Sequence, residues 1–433
     1  MRSRFLISII SLILGTVILG SCIKGEDNDY AYSIDATVRA FSIDSINGVK
    51  YPFSIDLFRS SIYNKDSLPY LSDTLLKSFQ IDTFTVTGAV FAADTLMGFP
   101  ATVDLTKAMN GADGIMFTVY AADGQTSRNY RLDVRVHMQD PDSLMWGIRR
   151  DMPEDFVNAD LGATPKVISF DHQLLIFTGL NCYHTSLEST SEYAWQTSTI
   201  SGLPEAVDWT SLLTFDNLLF VRTTEGDVYT SADGLQWGRH ASLSGDVKML
   251  LAGTSQLLMG VKTMDDTDYF CRADVNNPTW VLGDKVPVDF PMAQIHATVH
   301  TTPTGVERVI ITGDTPQMGS QTEVVPWFTF EGDNWAALDT EDMACPYMGH
   351  PSIFQYNSWF FIFGNGFEAM YESPSALTWN EMTTKFTLPA ELKGKDHYSA
   401  TVDDDKFIWI VISEAGNNQL WRGRQNKFGF KRQ

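Results

Sequence analysis

The sequence predicts an all-β protein, a small β-sandwich followed by a six-bladed β-propeller. Aromatic residues make up 12% of the chain, and they favour strands. The second half repeats with a period in the low forties, and pairs of short apolar runs are joined by two or three polar residues, as in antiparallel hairpins. The chain of 433 residues is also too long for one ordinary core, so two domains are expected.

The smaller domain is expected at residues 31–140. Its clearest hairpin lies within residues 117–136, where two runs of alternating apolar and polar residues flank the turn Asp123-Gly124. The same alternation at residues 32–38 predicts its first strand. The segment that follows residue 138 is rich in Asp and Pro, which indicates a linker.

Tryptophans mark the repeat of the larger domain, residues 141–433. They are separated by 42, 43, 55, 44 and 42 residues, at Trp195, Trp237, Trp280, Trp335, Trp379 and Trp421. A period of this length is typical of a four-stranded propeller blade. The first five open the fourth strand of a blade, whereas Trp421 falls in a third strand. Residues 144–150 are therefore expected to supply the missing strand and close the ring.

Two further hairpins show why these strands should be buried. Residues 212–221 are apolar on both sides of Asp216-Asn217, and residues 353–363 are apolar on both sides of Asn357-Ser358. Continuously apolar strands are covered on both faces, as in stacked blades.

The N-terminus predicts export. Residues 1–21 combine a basic start with an apolar stretch too short for a membrane span, which is typical of a signal peptide. The tetrapeptide Leu19-Gly20-Ser21-Cys22 resembles the lipobox of bacterial lipoproteins, which implies a lipid on Cys22 and a tether at residues 22–30. An ordinary secretory cleavage site followed by an incidental cysteine is the alternative.

The tether also resembles a sorting signal. Residues 23–29 resemble the Lys-plus-acidic tract that sends Bacteroidetes lipoproteins to the outer face of the outer membrane. The resemblance implies an outer-membrane lipoprotein exposed at the cell surface, with the membrane as partner. A plain hydrophilic tether explains the same residues.

Charge and cysteine content exclude several functions. The net charge of −22 repels phosphate backbones, so nucleic acid is not expected as a partner. Besides Cys22, the chain has three cysteines without paired metal-site spacing, and we expect buried apolar residues. They are Cys182, Cys271 and Cys345. The acidic runs at residues 265–268 and 403–405 lack calcium-loop spacing and are expected to be solvated turns. No cofactor, metal site or catalytic residue is predicted.

Several motifs resemble known repeats. Residues 231–237 are similar to the Asp box of sialidase-type propellers, residues 349–352 with the following hairpin are similar to a kelch repeat, and residues 123–134 resemble immunoglobulin- or cadherin-like modules. Together with the leader, they resemble an uncharacterised Bacteroidetes lipoprotein family. The resemblance implies an Ig-like β-sandwich, a kelch- or Asp-box-like propeller and no established activity.

Three histidines are the candidate ligand-binding residues. His296, His350 and His397 each precede the first hairpin turn of a blade, in three successive blades. The innermost strand of a blade lines the axial channel, so the three could contact a ligand at the channel mouth. The alternative is that this repeated histidine packs and hydrogen-bonds the neighbouring blade.

The function that follows is a cell-envelope lipoprotein that acts as a non-catalytic binding or scaffolding module, for glycans or for a surface protein complex. The alternative is a glycan-active, glycosidase-like enzyme, which would require two carboxylates at the propeller mouth.

Overall fold

The computed structural model describes residues 32–138, 140, 142–161, 165–188, 193–316 and 322–426. The chain divides into two compact units, residues 1–140 and residues 141–433. The predicted signal peptide at residues 1–21, Cys22 and the predicted tether at residues 22–30 lie outside the described residues. Within the described ranges, no helix is both long enough and apolar enough to span a membrane.

The first unit contains two sheets. Its strands are β1 (Ala40–Ile43), β2 (Phe53–Asp56), β3 (Ser61–Asn64), β4 (Phe79–Thr85), β5 (Ala89–Ala92), β6 (Thr95–Met97), β7 (Ala101–Val103), β8 (Ile115–Tyr120) and β9 (Ser127–Asp133). A short helix α1 (Asp73–Leu76) and a 3-10 helix (Leu105–Ala108) connect them. One sheet has the order β1-β4-β7 and the other the order β2-β3-β9-β8-β5-β6. Strands β3 and β9 are parallel, and the other pairs are antiparallel.

Both sheets of this unit contribute to one hydrophobic core. Phe84 of the smaller sheet packs edge-on against Phe117 of the larger sheet. The strand predicted at residues 32–38 is wrong, because the first strand begins at Ala40. The alternation there nevertheless has a physical cause, since Val38 is buried in the core and its backbone N–H donates to the Tyr130 hydroxyl at 3.3 Å.

The second unit is built from short strands with one helix, α2 (Glu154–Val157), and one 3-10 helix (Ala390–Leu392). Its strands are β10 (Leu144–Arg149), β11 (Lys166–Phe170), β12 (Gln173–Thr178), β13 (Asn181–Ser186), β14 (Gln196–Thr199), β15 (Val207–Phe215), β16 (Leu218–Thr223), β17 (Val228–Ser231), β18 (Gly238–Arg239), β19 (Val247–Gly253), β20 (Leu257–Met264), β21 (Thr267–Asp274), β22 (Asn277–Lys285), β23 (Ala293–Thr301), β24 (Glu307–Asp314), β25 (Glu323–Val324), β26 (Trp327–Thr329), β27 (Ala336–Ala337), β28 (Cys345–Pro346), β29 (Ser352–Tyr356), β30 (Trp359–Phe363), β31 (Tyr371–Ser373), β32 (Asn380–Glu381), β33 (Tyr398–Val402), β34 (Ile408–Ile412) and β35 (Gln419–Gln425).

These strands form four-stranded antiparallel sheets. In the described part of the unit there are six, with the orders β11-β12-β13-β14, β15-β16-β17-β18, β19-β20-β21-β22, β23-β24-β26-β27, β29-β30-β31-β32 and β10-β35-β34-β33, besides the small pair β25-β28. The first strands of neighbouring sheets lie side by side, β11 against β15 and β33, β19 against β15 and β23, and β23 against β29. The unit is a β-propeller.

The hairpin turns explain how the innermost strands reverse. Asp216-Asn217 and Asn357-Ser358 occupy the two central positions of their turns with positive φ at all four residues, and Asp171-His172 does the same. Two positive φ angles define the type I′ turn, which matches the twist of adjacent strands. Short polar residues tolerate this conformation, so the turns fix the register of these three hairpins.

The tryptophans hold the outer strands. Trp237, Trp335 and Trp379 each lie directly before a fourth strand, and all three side chains are buried. Trp421 lies in β35, the third strand of its sheet, and the fourth place is taken by β10, in which Trp146 pairs with Gly423. The last sheet is therefore assembled from both ends of the unit.

Candidate functional site

Cavities follow one another along the innermost strands of the propeller and share lining residues. A cavity of about 40 Å³ at the beginning of these strands adjoins one of about 260 Å³ lined by β11, β15, β19, β23 and β33. That cavity continues to a wider one of about 810 Å³ at the hairpin turns. We call the whole passage the channel. Its turn end is acidic, because Asp171, Asp216, Glu307 and Asp404 line it.

The opposite, smaller end is lined by residues from five sheets. We call it the Lys166 cavity, and its lining consists of Pro165, Lys166, Thr210, Gln294, Ile295, His296, His350, Ser352, Tyr398, Ser399 and Ala400. These residues supply an ammonium group, imidazoles, hydroxyls and an amide, and none is a carboxylate. A space of about 40 Å³ holds a few water-sized groups. The channel therefore changes from acidic at its turn end to cationic here.

Lys166 opens β11 and is the one lysine that lines this cavity. Among the described residues no hydrogen bond or ion pair is present for its ammonium group. The carboxylate that attracts this ammonium group is Asp208, whose Oδ2 accepts from Arg222 at 2.8 Å and whose Oδ1 accepts from the Thr210 backbone at 3.0 Å. Burial lowers the pKa of Lys166 to about 8, against the opposing attraction of Asp208. The site therefore holds an incompletely compensated positive charge.

His296 lies in β23 with a half-buried side chain. Its Nε2 is 3.2 Å from the Ala400 carbonyl oxygen, so Nε2 carries the hydrogen in this contact. Its Nδ1 is enclosed and has no hydrogen-bond partner among the described residues. Burial, followed by the charge of Lys166, lowers the pKa of His296 to about 4. The imidazole is therefore neutral at pH 7.

His350 is held by a carboxylate. The Asp314 side chain is 5% exposed, and it accepts from the His350 backbone N–H at 2.8 Å and lies 3.1 Å from His350 Nε2. The carbonyl oxygen of His350 accepts from the Tyr398 hydroxyl at 2.6 Å, which also lies 3.0 Å from Ser352 Oγ. These bonds tie β29 to β33 and fix the position of His350.

The structure brings together two of the three predicted histidines. His296 and His350 line the Lys166 cavity, whereas the His397 side chain is exposed and its neighbour Tyr398 lines the cavity instead. Successive side chains of an extended chain point to opposite sides, so His397 points away from the cavity when Tyr398 lines it. Sequence reasoning missed Lys166, although a lone lysine at the head of an apolar innermost strand was the available signal.

The turn before Trp237 is stabilised by its own side chains. Ser231 Oγ accepts from the Gly234 N–H at 2.9 Å, and Asp233 Oδ1 accepts from the Gln236 N–H at 2.9 Å. Trp237 Nε1 donates to the Gly234 carbonyl oxygen at 2.9 Å. The polar atoms of the turn are therefore bonded to one another within the blade, and these contacts stabilise the fold.

A further copy of this turn was missed in the sequence. Thr329 takes the position of Ser231, and its Oγ1 accepts from the Gly332 N–H at 2.9 Å. Gly332, like Gly234, has positive φ and lies against the preceding sheet, here against Met259. Trp335 follows Thr329 at the same spacing at which Trp237 follows Ser231. Because Thr replaces Ser and Glu331 replaces Asp, letter matching did not reveal it.

The prediction that the acidic run at residues 403–405 is solvated is wrong for Asp403, whereas Asp404 and Asp405 are exposed. Asp403 is buried, and its two oxygens accept from the Phe407 backbone at 2.8 Å and from Trp409 Nε1 at 2.7 Å. Burial raises the pKa of its carboxyl group. Across the described residues, no group of three or more His, Cys, Asp or Glu side chains is arranged to hold a metal ion. The three cysteines described are free and buried.

The sequence matches two family models. The DUF6242 beta propeller domain matches residues 140–433, and the Domain of unknown function (DUF6242) N-terminal domain matches residues 25–134. No curated protein matches the chain.

Several solved structures are weakly similar to this chain. The SapL1 lectin in complex with alpha methyl fucoside is 11% identical, with a TM-score of 0.41 over 63% of this chain and 99% of the lectin. An oligogalacturonate lyase from Vibrio parahaemolyticus is 12% identical, with a TM-score of 0.36 over 65% of this chain and 97% of the lyase. YCF48 bound to D1 peptide is 12% identical, with a TM-score of 0.35 over 89% of this chain and all (100%) of that chain. Similarities this weak carry no argument about a ligand.

Proposed function

This chain belongs to the DUF6242 family, and on that basis we propose that its second unit is a six-bladed β-propeller that binds a glycan without catalysing a reaction. Binding occurs at the Lys166 cavity, with the adjoining channel receiving the rest of the ligand. The six four-stranded sheets and the pairing of β10 with β35 support the blade count and the closure by residues 144–150. Closure of this kind removes exposed strand edges.

The observation that carries the binding proposal is the composition of the Lys166 cavity. Ammonium, hydroxyl, amide and imidazole groups from five sheets converge there, as in sites that orient a small ligand with a few placed polar groups. A glycosidase would instead need two carboxyl groups on either side of the scissile bond. The residues that line this cavity include no carboxylate, and Asp314 behind His350 is occupied by that histidine. At the Lys166 cavity this composition favours binding over hydrolysis, whereas the carboxylates of the channel lie at its turn end.

The cellular setting belongs to the same proposal. Leu19-Gly20-Ser21-Cys22 supports acylation of Cys22, and residues 23–29 support export to the outer membrane surface. The first unit would then be an Ig-like β-sandwich that follows the tether in the chain. Its two sheets over one core support this assignment.

Glycan array binding of the detergent-solubilised full chain tests the proposal, with two matched tryptophan variants. Thr210 lines the Lys166 cavity, whereas Thr199 lies in β14 and lines no part of the channel, and both side chains are exposed. Thr210→Trp should abolish array binding because the indole fills the cavity, whereas Thr199→Trp should retain it. Glycan binding that survives Thr210→Trp, or the absence of any glycan ligand, would overturn the proposal.

A further inference from the structure

The channel is lined by unlike charges at its two ends, and Lys166 is its least compensated group. The chain as a whole is acidic, with a net charge of −22, yet its narrow channel end presents an ammonium group and no carboxylate. A half-buried cation is retained at a cost in hydration unless a partner offsets it. An arrangement of this kind, at the end of an open channel, points to a ligand of opposite charge.

The groups around Lys166 leave room for such a partner. Asp208 is engaged by Arg222, and Asp314 is engaged by His350, so neither supplies a free carboxylate oxygen to the ammonium. From β23, His296 faces the same space as a neutral imidazole, so it adds no charge of its own. The Tyr398 hydroxyl donates to the His350 carbonyl oxygen, and burial raises its pKa, so it adds no negative charge.

We propose that the Lys166 cavity binds a small anionic group, the carboxylate or phosphate of a ligand, through the Lys166 ammonium. This inference rests on the proposed binding function and names the ligand class as an acidic glycan. The cavity of about 40 Å³ receives the anionic group, and the adjoining space of about 260 Å³ receives the sugar ring. A charge-assisted hydrogen bond in a partly enclosed site is stronger than its exposed counterpart.

Calorimetric titration of the detergent-solubilised full chain tests this with four probes. These are glucose, glucuronate, acetate and inorganic phosphate. Binding of the anions but not of glucose supports the proposal, and comparison of acetate with phosphate separates the two anion types. Because Lys166 loses its proton above pH 8, affinity for the anions should fall at least tenfold between pH 7 and pH 9.5.

Substitutions of Lys166 test whether its ammonium group binds the anion. Lys166→Gln should lower anion affinity at least tenfold, and Lys166→Arg should restore part of it because the charge is kept. Lys248→Gln is the matched control, because it removes the same charge from an exposed lysine that pairs with Asp268 at 2.6 Å outside the channel. Circular dichroism melting shows whether each variant is folded, and a misfolded Lys166→Gln leaves Lys166→Arg and the pH series to decide.

The outcomes separate the two proposals. Acidic and neutral glycans that bind wild type and Lys166→Gln equally would overturn the anion site and leave glycan binding standing. Acetate or phosphate that binds through Lys166, without any glycan on the array, would support the anion site and overturn glycan binding. No anion binding to wild type at pH 7 would overturn the anion site.

Discussion

Trp146 and Gly423 lie opposite each other in the antiparallel pair of β10 and β35. The Trp146 ring covers Gly423 so closely that a Cβ atom there would come within 2.4 Å of the ring. Trp146 Nε1 donates to the Thr387 carbonyl oxygen at 2.9 Å, which fixes the ring over the strand. The Trp146 ring can therefore pack here only because residue 423 has no side chain.

Replacing Trp146 should destabilise the propeller. Trp146→Ala removes packing from the core cluster shared with Trp421 and leaves the Thr387 carbonyl without its donor. We expect the free energy of unfolding to fall by about 3 kcal/mol, measured by urea denaturation. Trp359→Ala, at a tryptophan that is 41% exposed, is the control and should cost far less. Equal losses in both variants would show that strand closure does not depend on Trp146.

Gly234 should tolerate no side chain. Its φ is +76°, and an added Cβ would lie 3.0 Å from Leu175 Cδ1 and 3.1 Å from Phe177 Cζ of the preceding sheet. Gly234→Ala is therefore expected to lower the unfolding free energy by about 1–3 kcal/mol. Gly238→Ala, four residues later with open space around its Cβ, should be near neutral in the same denaturation experiment. A neutral Gly234→Ala would mean that neighbouring sheets adjust freely to one another.

Lys166→Met should stabilise the fold in a manner that depends on pH. Burial lowers the pKa of Lys166 from 10.5 to about 8, so between these values the unfolded chain binds a proton that the folded chain has released. The stability of the wild type therefore rises with pH across this window. The variant should be more stable by about 2 kcal/mol at pH 7, since each pKa unit corresponds to about 1.4 kcal/mol and the side chain keeps some hydration.

Thermal melts at pH 7 and at pH 10.5 check this expectation. The advantage of Lys166→Met should shrink to a small remainder at the higher pH, where the folded lysine is neutral and the unfolded one is half protonated. A constant difference between variant and wild type would indicate that packing and not charge determines it.

Cys22→Ala should release the protein from the membrane. The motivation is the resemblance of Leu19-Gly20-Ser21-Cys22 to a lipobox, a motif in which the cysteine sulfur carries the lipid. In a detergent phase separation, the wild type should enter the detergent phase and the variant the aqueous phase. Several acyl chains anchor a protein stably, so the shift should be nearly complete. Unchanged partitioning would overturn the proposal that Cys22 is acylated.

Local patterns in the sequence predicted much of the propeller. Asp216-Asn217 and Asn357-Ser358 act locally, because positive φ at both turn positions suits these short polar side chains. The tryptophan before the fourth strand is likewise part of a contiguous turn, as Trp237 shows. The strand predicted at residues 32–38 was wrong. There the backbone N–H of the buried Val38 donates to the Tyr130 hydroxyl instead of to a neighbouring strand.

The site was less accessible from sequence. Whether a residue lines the channel depends on the register of each innermost strand, and a shift of one residue exchanges His397 for Tyr398. Among the described residues, Lys166 has no carboxylate partner because Arg222 pairs with Asp208 and His350 pairs with Asp314. Those pairs join residues from different parts of the chain, so no spacing rule reveals them.

The pairing of β10 with β35 also sets an order on biosynthesis. Residues 144–149 leave the ribosome early, but their partner strand at residues 420–425 is among the last described segments to be made. Until then β10 and β34 each present an unpaired edge, the kind of surface on which nascent chains aggregate. A frameshift or stop codon shortly before residue 419 would leave those edges open permanently. Quality control of such truncated chains would fall to proteases, even though every other sheet of the unit had been synthesised.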